Sequence, residues 1–210
     1  MKIVFATGNK NKMKEIREIL GGLGMEIISM ADAGVSDDIV EDGTTFEENS
    51  MIKAKGVAEA LGKVNPQLAS ESIVMADDSG LEVDYLNKEP GVYSARYMGK
   101  DTSYTEKNNN IISRLDGVPD EKRTARFVCA ISAVLPDGKS FCVREAMEGR
   151  IGYEIAGSNG FGYDPIFFLP EYGKTSAEIS ADEKNAISHR GKALREMEKL
   201  LREAFEGGNN

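Results

Sequence analysis

The chain has 210 residues, 40% hydrophobic and 29% charged, enough apolar material for a buried core and too much for a disordered segment. Its 26 Lys and Arg against 35 Asp and Glu give a formal charge of −9, which argues against a protein that coats nucleic acid or an anionic membrane. One His and two Cys exclude zinc clusters, an HExxH hydrolase and a disulfide framework. The opening apolar run is shorter than a signal-peptide core, and no window approaches the roughly 20 apolar residues of a membrane span, so a soluble cytoplasmic protein is expected.

Ile3 to Ala6 reads as a short buried strand and Thr7-Gly8-Asn9 as the turn that ends it, with Asn9 capping a helix to Leu20 whose stripe is Met13, Ile16 and Leu20. A strand near Glu26 to Ser29 leads into an acidic loop from Asp32 to Thr44. Thr45-x-x-Glu48 is a capping box for a helix to Leu61, and Lys63 to Glu71 reads as a linker. Ser72 to Ala76 is a second short apolar strand that ends at Asp77-Asp78-Ser79-Gly80, with extended structure resuming over Leu81 to Tyr85.

Ser103-x-x-Glu106 caps a helix to Leu115. Arg123 to Leu135 and Lys139 to Gly149 form a long hairpin around Pro136-Asp137-Gly138, a register that keeps Cys129 and Cys142 too far apart to bridge. Gly157 to Gly162 is a glycine-rich loop and Pro165 to Leu169 a short strand. An amphipathic C-terminal helix begins at Ser180 or, restarted, at Ser188, and the tail 206–210 is expected to fray. Helices interleaved with short buried strands, with a hairpin between them, predict an α/β fold with a mixed sheet.

Five segments can carry chemistry. In Thr7-Gly8-Asn9-Lys10-Asn11-Lys12, lysines crowd a helix N-terminus where the macrodipole disfavours cations by roughly 0.3 to 1 kcal/mol each. Either the lysines point into water or a phosphate sits on the free N–H groups, although the P-loop spacing is absent. Lys53 falls about 20° from Phe46 on the apolar face of its helix, beside Asn49, and so either snorkels or aims at an anion in a cleft.

Asp77-Asp78-Ser79-Gly80 directly follows a buried strand, which suits either a turn or a hard cation such as Mg²⁺ with Glu41 as a second ligand. Phe161 between Gly160 and Gly162 offers a face for stacking a base. Lys184-Asn185-Ala186-Ile187-Ser188-His189-Arg190 gathers the only His with an Arg and a Lys.

Together these segments resemble the inosine triphosphate pyrophosphatase family. The match runs in order through Ile3-Val4-Phe5-Ala6-Thr7-Gly8-Asn9, Glu41-Asp42-Gly43-Thr44-Thr45-Phe46, Ala76-Asp77-Asp78-Ser79-Gly80-Leu81, Pro90-Gly91-Val92-Tyr93-Ser94-Ala95-Arg96-Tyr97, Phe161-Gly162-Tyr163-Asp164-Pro165 and Ile187-Ser188-His189-Arg190. One departure is Asn159, where many relatives carry glycine.

The resemblance implies an elongated mixed β-sheet flanked by helices, a single domain over 1–205 in two lobes with the active-site cleft between them, and a cytoplasmic homodimer. It implies Mg²⁺-dependent hydrolysis of non-standard purine nucleoside triphosphates (ITP, dITP, XTP) to the monophosphate and pyrophosphate, which cleanses the nucleotide pool, with no nucleic-acid or membrane partner. By the same resemblance Glu41 and Asp78 bind the metal, Asp78 is the general base supported by Asp77, and Lys53 acts beside them. Thr7, Gly8, Asn9, Lys10, Asn11, Lys12 and Lys53 would hold the triphosphate, with Arg96 a further phosphate candidate. Ser79, Phe161, Gly162, Tyr163, Asp164, Lys184, His189 and Arg190 would take the nucleoside. Two alternatives use the same residues: a pyrophosphatase of modified pyrimidine nucleotides, and a non-catalytic nucleotide sensor, which would not need Glu41 and Asp78.

Overall fold

The computed structural model describes residues 2–36 and 39–206; Asp37 and Asp38 of the acidic loop, and the tail beyond Glu206, lie outside the described residues. Strands β1 (Lys2–Phe5), β2 (Glu26–Ser29), β3 (Ser72–Val83), β4 (Thr124–Val134), β5 (Ser140–Ile151), β6 (Phe167–Leu169) and β7 (Lys174–Thr175) form one sheet in the order β2-β1-β3-β4-β5-β6-β7. Its helices are α1 (Lys10–Leu20), α2 (Phe46–Val64), α3 (Pro66–Ser70), α4 (Tyr104–Arg114), α5 (Ala181–Ile187) and α6 (His189–Glu206). The sheet is mixed: β1 runs parallel to β2 and β3, whereas β5, β6 and β7 pair antiparallel.

The chain divides into two compact units. The first comprises residues up to Asp78, Cys129–Glu145 and the chain from Arg190; the second comprises Ser79–Val128 and Ala146–His189.

In the first unit the two-residue period of the strands assigns every core side chain to a face. Ile3, Phe5, Ile73, Met75, Cys129, Ile131 and Ala133 point to the face covered by Met13, Ile16 and Leu20 of α1 and by Leu194, Met197 and Leu201 of α6. Val4, Ala6, Val74 and Ala76 point to the other, under Ala54, Val57 and Leu61 of α2. Helices on both faces explain why residues 72–77 are buried without interruption. The second unit has its own core, in which Leu81, Ile111, Phe127, Ile151, Ile166 and Phe167 are buried.

Three expectations are corrected here. Strand β3 does not stop at Asp77: the Asp-Asp-Ser-Gly segment is extended chain inside a twelve-residue strand. It is β1 that ends, its last pair being Phe5 with Met75, so the two aspartates sit just beyond the carboxyl end of β1. The linker over Lys63 to Glu71 contains α3, capped by the Asn65 side chain on Leu68 N with Pro66 in the first turn.

The hairpin closes through the three residues Pro136-Asp137-Gly138. Gly138 (φ 85°) donates to Leu135 O at 2.9 Å and Leu135 donates to Lys139 O at 2.8 Å, the loop that a left-handed glycine permits. The short strand near Pro165 begins only at Phe167, after a 3₁₀ turn over Asp164–Ile166. Both proposed C-terminal starts are used, Ser180 capping α5 through a capping box and Ser188 separating it from α6.

Candidate active site

The turn after β1 leaves Thr7 buried, its Oγ1 accepting from Asn9 N at 3.1 Å, while Asn9 Oδ1 accepts from Asn11 N at 2.9 Å and Lys12 N at 3.2 Å. A Cβ on Gly8 would meet nothing within 4 Å, so open space lies against this backbone, and Lys10 and Asn11 are exposed. Helix α1 has no acidic residue in its first turn. Lys12 is nevertheless neutralised from outside the helix, by an ion pair with Asp77.

Strand parity separates the paired aspartates. Asp77 continues the row of Ile73 and Met75 and therefore faces α1 and α6. There it is 2% exposed, bonded by Lys12, by Arg190 Nε at 3.0 Å and by Cys129 Sγ at 3.0 Å. Burial pushes its carboxyl up, but the charges of Arg190 and Lys12 and the thiol hydrogen bond outweigh burial and hold it far below the ordinary carboxylate range.

Asp78 turns to the opposite face, toward α2. Burial pushes its carboxyl up to about 6; Lys12 and a hydrogen bond from Asn49 oppose this, and the negative charges of Asp77 and Glu41 add to it. Asp78 Oδ2 is buried with no hydrogen-bond partner. Adjacent in sequence, the two carboxyls thus have opposite chemistry: one is locked in a salt-bridge network, the other is held near neutrality with an oxygen to spare.

Glu41, in the acidic loop, pairs with Lys53 of α2, both side chains roughly one-fifth exposed at 21% and 23%. Lys53 therefore does aim at an anion from the apolar face of α2, and in this state that anion is Glu41.

The glycine-rich loop belongs to the second unit and is knotted by Asp164. That carboxylate, 2% exposed, accepts from Phe161 N at 2.8 Å, Ser176 Oγ at 2.8 Å and Lys184 Nζ at 2.6 Å. Lys184 Nζ also lies 5.2 Å from the centre of the Phe161 ring, which is only half-buried. Tyr163 is buried and donates to Ser94 O at 2.7 Å, and Asn108 Nδ2 donates to Gly162 O at 3.1 Å. Asn159 is accommodated at a negative φ, pinning the loop through Ile179 O at 2.9 Å.

His189 is buried and stacks on Phe127 with ring centres 5.0 Å apart. Ser79 is half-buried, and Arg96 is exposed with its guanidinium 4.9 Å from the Tyr93 ring.

The model of the Ham1 family matches residues 3–200. The chain belongs to the Ham1 family. It is 47% identical over 201 residues to a dITP/XTP pyrophosphatase of Clostridium perfringens, spanning 96% of this chain and 97% of that one. It is also 45% identical over 205 residues to a dITP/XTP pyrophosphatase of Listeria innocua, spanning 98% and 97%. Among solved structures, a HAM1 protein from Coxiella burnetii superposes with a TM-score of 0.84 at 38% identity, over 97% of this chain and 99% of that one. The Staphylococcus aureus Ham1 protein does so with 0.81 at 37%, over the whole of both chains.

In this Ham1 chain Arg190, assigned to the nucleoside by the resemblance, has two acidic partners. It packs in the first unit, 2% exposed, paired with Asp77 and Glu15. Sequence reasoning passed over Glu15, Cys129 and Asn49. Glu15 lies three residues after Lys12, hence on the same side of α1, which is a usable signal; Cys129 needs the β4 register and had none.

The Ham1 glycine-rich loop makes one steric requirement explicit. Gly160 has φ +73°, and a Cβ there would fall 2.2 Å from Asp164 Oδ2 and 3.1 Å from Lys184 Nζ. Gly160→Ala is expected to destabilise the loop by at least about 1–2 kcal/mol from the left-handed backbone alone. It should break the Asp164 knot and raise KM for purine nucleotides more than it lowers kcat. Steady-state kinetics with a thermal melt check this, and an unchanged KM would show that the knot does not order the loop.

Proposed function

We propose that this Ham1 chain hydrolyses non-standard purine nucleoside triphosphates, dITP, ITP and XTP, to the nucleoside monophosphate and pyrophosphate. Acting as a cytoplasmic Mg²⁺-dependent homodimer, it would remove these nucleotides before they enter DNA or RNA. The observation that carries the chemistry is Asp78, a half-buried carboxyl pushed up to about 6, whose buried Oδ2 has no partner. The relatives named dITP/XTP pyrophosphatase, alike over nearly the full chain, supply the substrate class.

The donor set fits a hard divalent cation. Among the described residues no group of three His, Cys, Asp or Glu side chains is arranged to hold a metal. Glu41 and Asp78 instead offer the one or two carboxylates that Mg²⁺ takes when water and substrate phosphates complete its shell. Bound there, the ion would offset charge on the phosphates and the leaving pyrophosphate.

The chain's own residues do the rest. Asp78 accepts the proton of the water that attacks the α phosphorus in line, since a carboxyl raised toward the working pH is a better base than an ordinary one. Lys12 and Lys53 exchange their carboxylate partners for the triphosphate, with Thr7, Gly8 and Asn9 presenting backbone beside it. Phe161 offers its ring to the base and Lys184 steadies that ring.

Hypoxanthine and xanthine carry an acceptor oxygen at C6, and Arg190 or backbone N–H groups near His189 are the donors assigned to it. Adenine has a donor amine there, and facing donors leave a buried group unpaired at about 1–3 kcal/mol. An assay of ITP, XTP, dITP, GTP and ATP with and without Mg²⁺ is expected to release pyrophosphate, at least about tenfold faster from the first three than from ATP at equal low concentration. Orthophosphate as the sole product, or activity that survives chelation, would overturn the reaction type.

A further inference from the structure

Asn49 has no place in the roles assigned so far, yet it is among the most buried polar residues of the first unit at 1% exposure. Its amide is used at both ends. Oδ1 accepts from Gly43 N at 2.9 Å, pinning the loop that carries Glu41, and the amide also reaches toward Asp78, whose carboxyl its Nδ2 end helps hold down. The amide orientation is thereby fixed, because reversing it would set oxygen against carboxylate and NH₂ against N–H.

The loop is shaped to this contact: a Cβ on Gly43 would lie 2.7 Å from Glu48 Cβ and 2.8 Å from Asn49 Oδ1. Glycine is thus the residue that lets the backbone reach the amide. The frame is stiff, since α2 is anchored one turn before Asn49 by the Thr45–Glu48 capping box and one residue after it by Ser50, whose hydroxyl lies 2.7 Å from Ser132 Oγ.

We propose that Asn49 is a positioning residue that couples the Glu41 loop to Asp78, so that one buried amide sets the spacing of the two carboxylates assigned to the metal. The proposal rests on the function given above. Hydrogen-bond partners of metal-binding carboxylates commonly govern metal affinity or activity by 10- to 100-fold.

The test compares the parent with Asn49→Leu, of similar volume but without either bond, and with Gly43→Ala, which breaks the loop side while leaving Nδ2 in place. Mn²⁺ binding is followed by electron paramagnetic resonance with an α,β-imido analogue of ITP bound, beside kcat, KM for ITP at saturating Mg²⁺, and melting. Asn49→Leu is expected to weaken Mn²⁺ binding and lower kcat by about tenfold or more in folded protein, with KM changed less than about threefold. Gly43→Ala should move the same quantities in the same direction, and stands in if Asn49→Leu does not fold.

Variants that melt lower but keep parental Mn²⁺ affinity and kcat would assign Asn49 to packing and overturn the inference. A parent that neither binds Mn²⁺ nor releases pyrophosphate would instead overturn the proposed function.

Discussion

Asp78→Asn is expected to lower kcat by about 10³-fold or more while raising thermal stability, because the same carboxyl that is proposed as base and metal ligand burdens the fold. Its surroundings state the burden: it is half-buried with a buried, unpartnered oxygen, and it faces the charges of Asp77 and Glu41. A carboxyl that ionises near 3.8 in the unfolded chain and near 6 in the folded one is penalised in its charged form. The sign follows from that order. The penalty is absent below about pH 4, grows as the pH rises to 6 and is complete above it, at a magnitude on the order of 2–3 kcal/mol. Asparagine keeps the shape, can still accept from Asn49 and carries no charge.

Melting in chelator at pH 7.5 should therefore show Asp78→Asn more stable than the parent by about 5 °C, with the gap shrinking at pH 5. Nucleotide binding should persist, because the lysines proposed to hold the phosphates are untouched. Full activity, or a variant less stable at both pH values, would remove Asp78 from the role assigned to it.

The elements that position this site were legible to the extent that they are local. The capping boxes at Thr45 and Ser103, the Asn9 cap and the stripe of α1 are short-range patterns, and each forms where the spacing predicts. The run Asp77-Asp78-Ser79-Gly80 misled because its composition suits a turn, whereas pairing within the sheet keeps it extended; propensity yields to long-range pairing here.

Once the strand is continuous, its period of two supplies what composition could not, that Asp77 and Asp78 serve opposite faces. The partners of Arg190 were illegible for the same reason. Its neighbours Lys184 and His189 are near in sequence, but its partners Asp77 and Glu15 are 113 and 175 residues away. The crowding of lysines at α1 signalled an anion from outside the helix, and Lys12 pairs with the Asp77 carboxylate.

Arg190→Ala carries the largest expected loss of stability, and its consequence separates bracing from base recognition. The guanidinium is 3% exposed and joins Asp77, itself fully buried, to Glu15. Removing it takes a cation from the buried Asp77 and from the half-buried Glu15, and breaking a buried pair in this way costs about 3–5 kcal/mol. That corresponds to a fall in Tm of roughly 10 °C for a chain of this size.

The pH dependence is opposite to that of Asp78. The folded Asp77 carboxyl ionises below its unfolded value, so its stabilisation is complete at neutral pH and is withdrawn only as the pH falls below about 4. The gap between parent and variant is accordingly widest near pH 7. Arg190→Lys keeps the charge but cannot span both acids with one planar fork, and it should recover only part of the loss.

Base selectivity is the deciding measurement. Where Arg190 braces Asp77, the ratio of kcat/KM for ITP over ATP in the folded fraction of either variant stays within about threefold of the parent, since a group that does not touch the base cannot discriminate between bases. A collapse of that ratio with Tm preserved would place the guanidinium on the purine instead. The Asp77 network would then have to hold its charge without Arg190, and the near-complete burial of both groups makes the loss of stability the expected result.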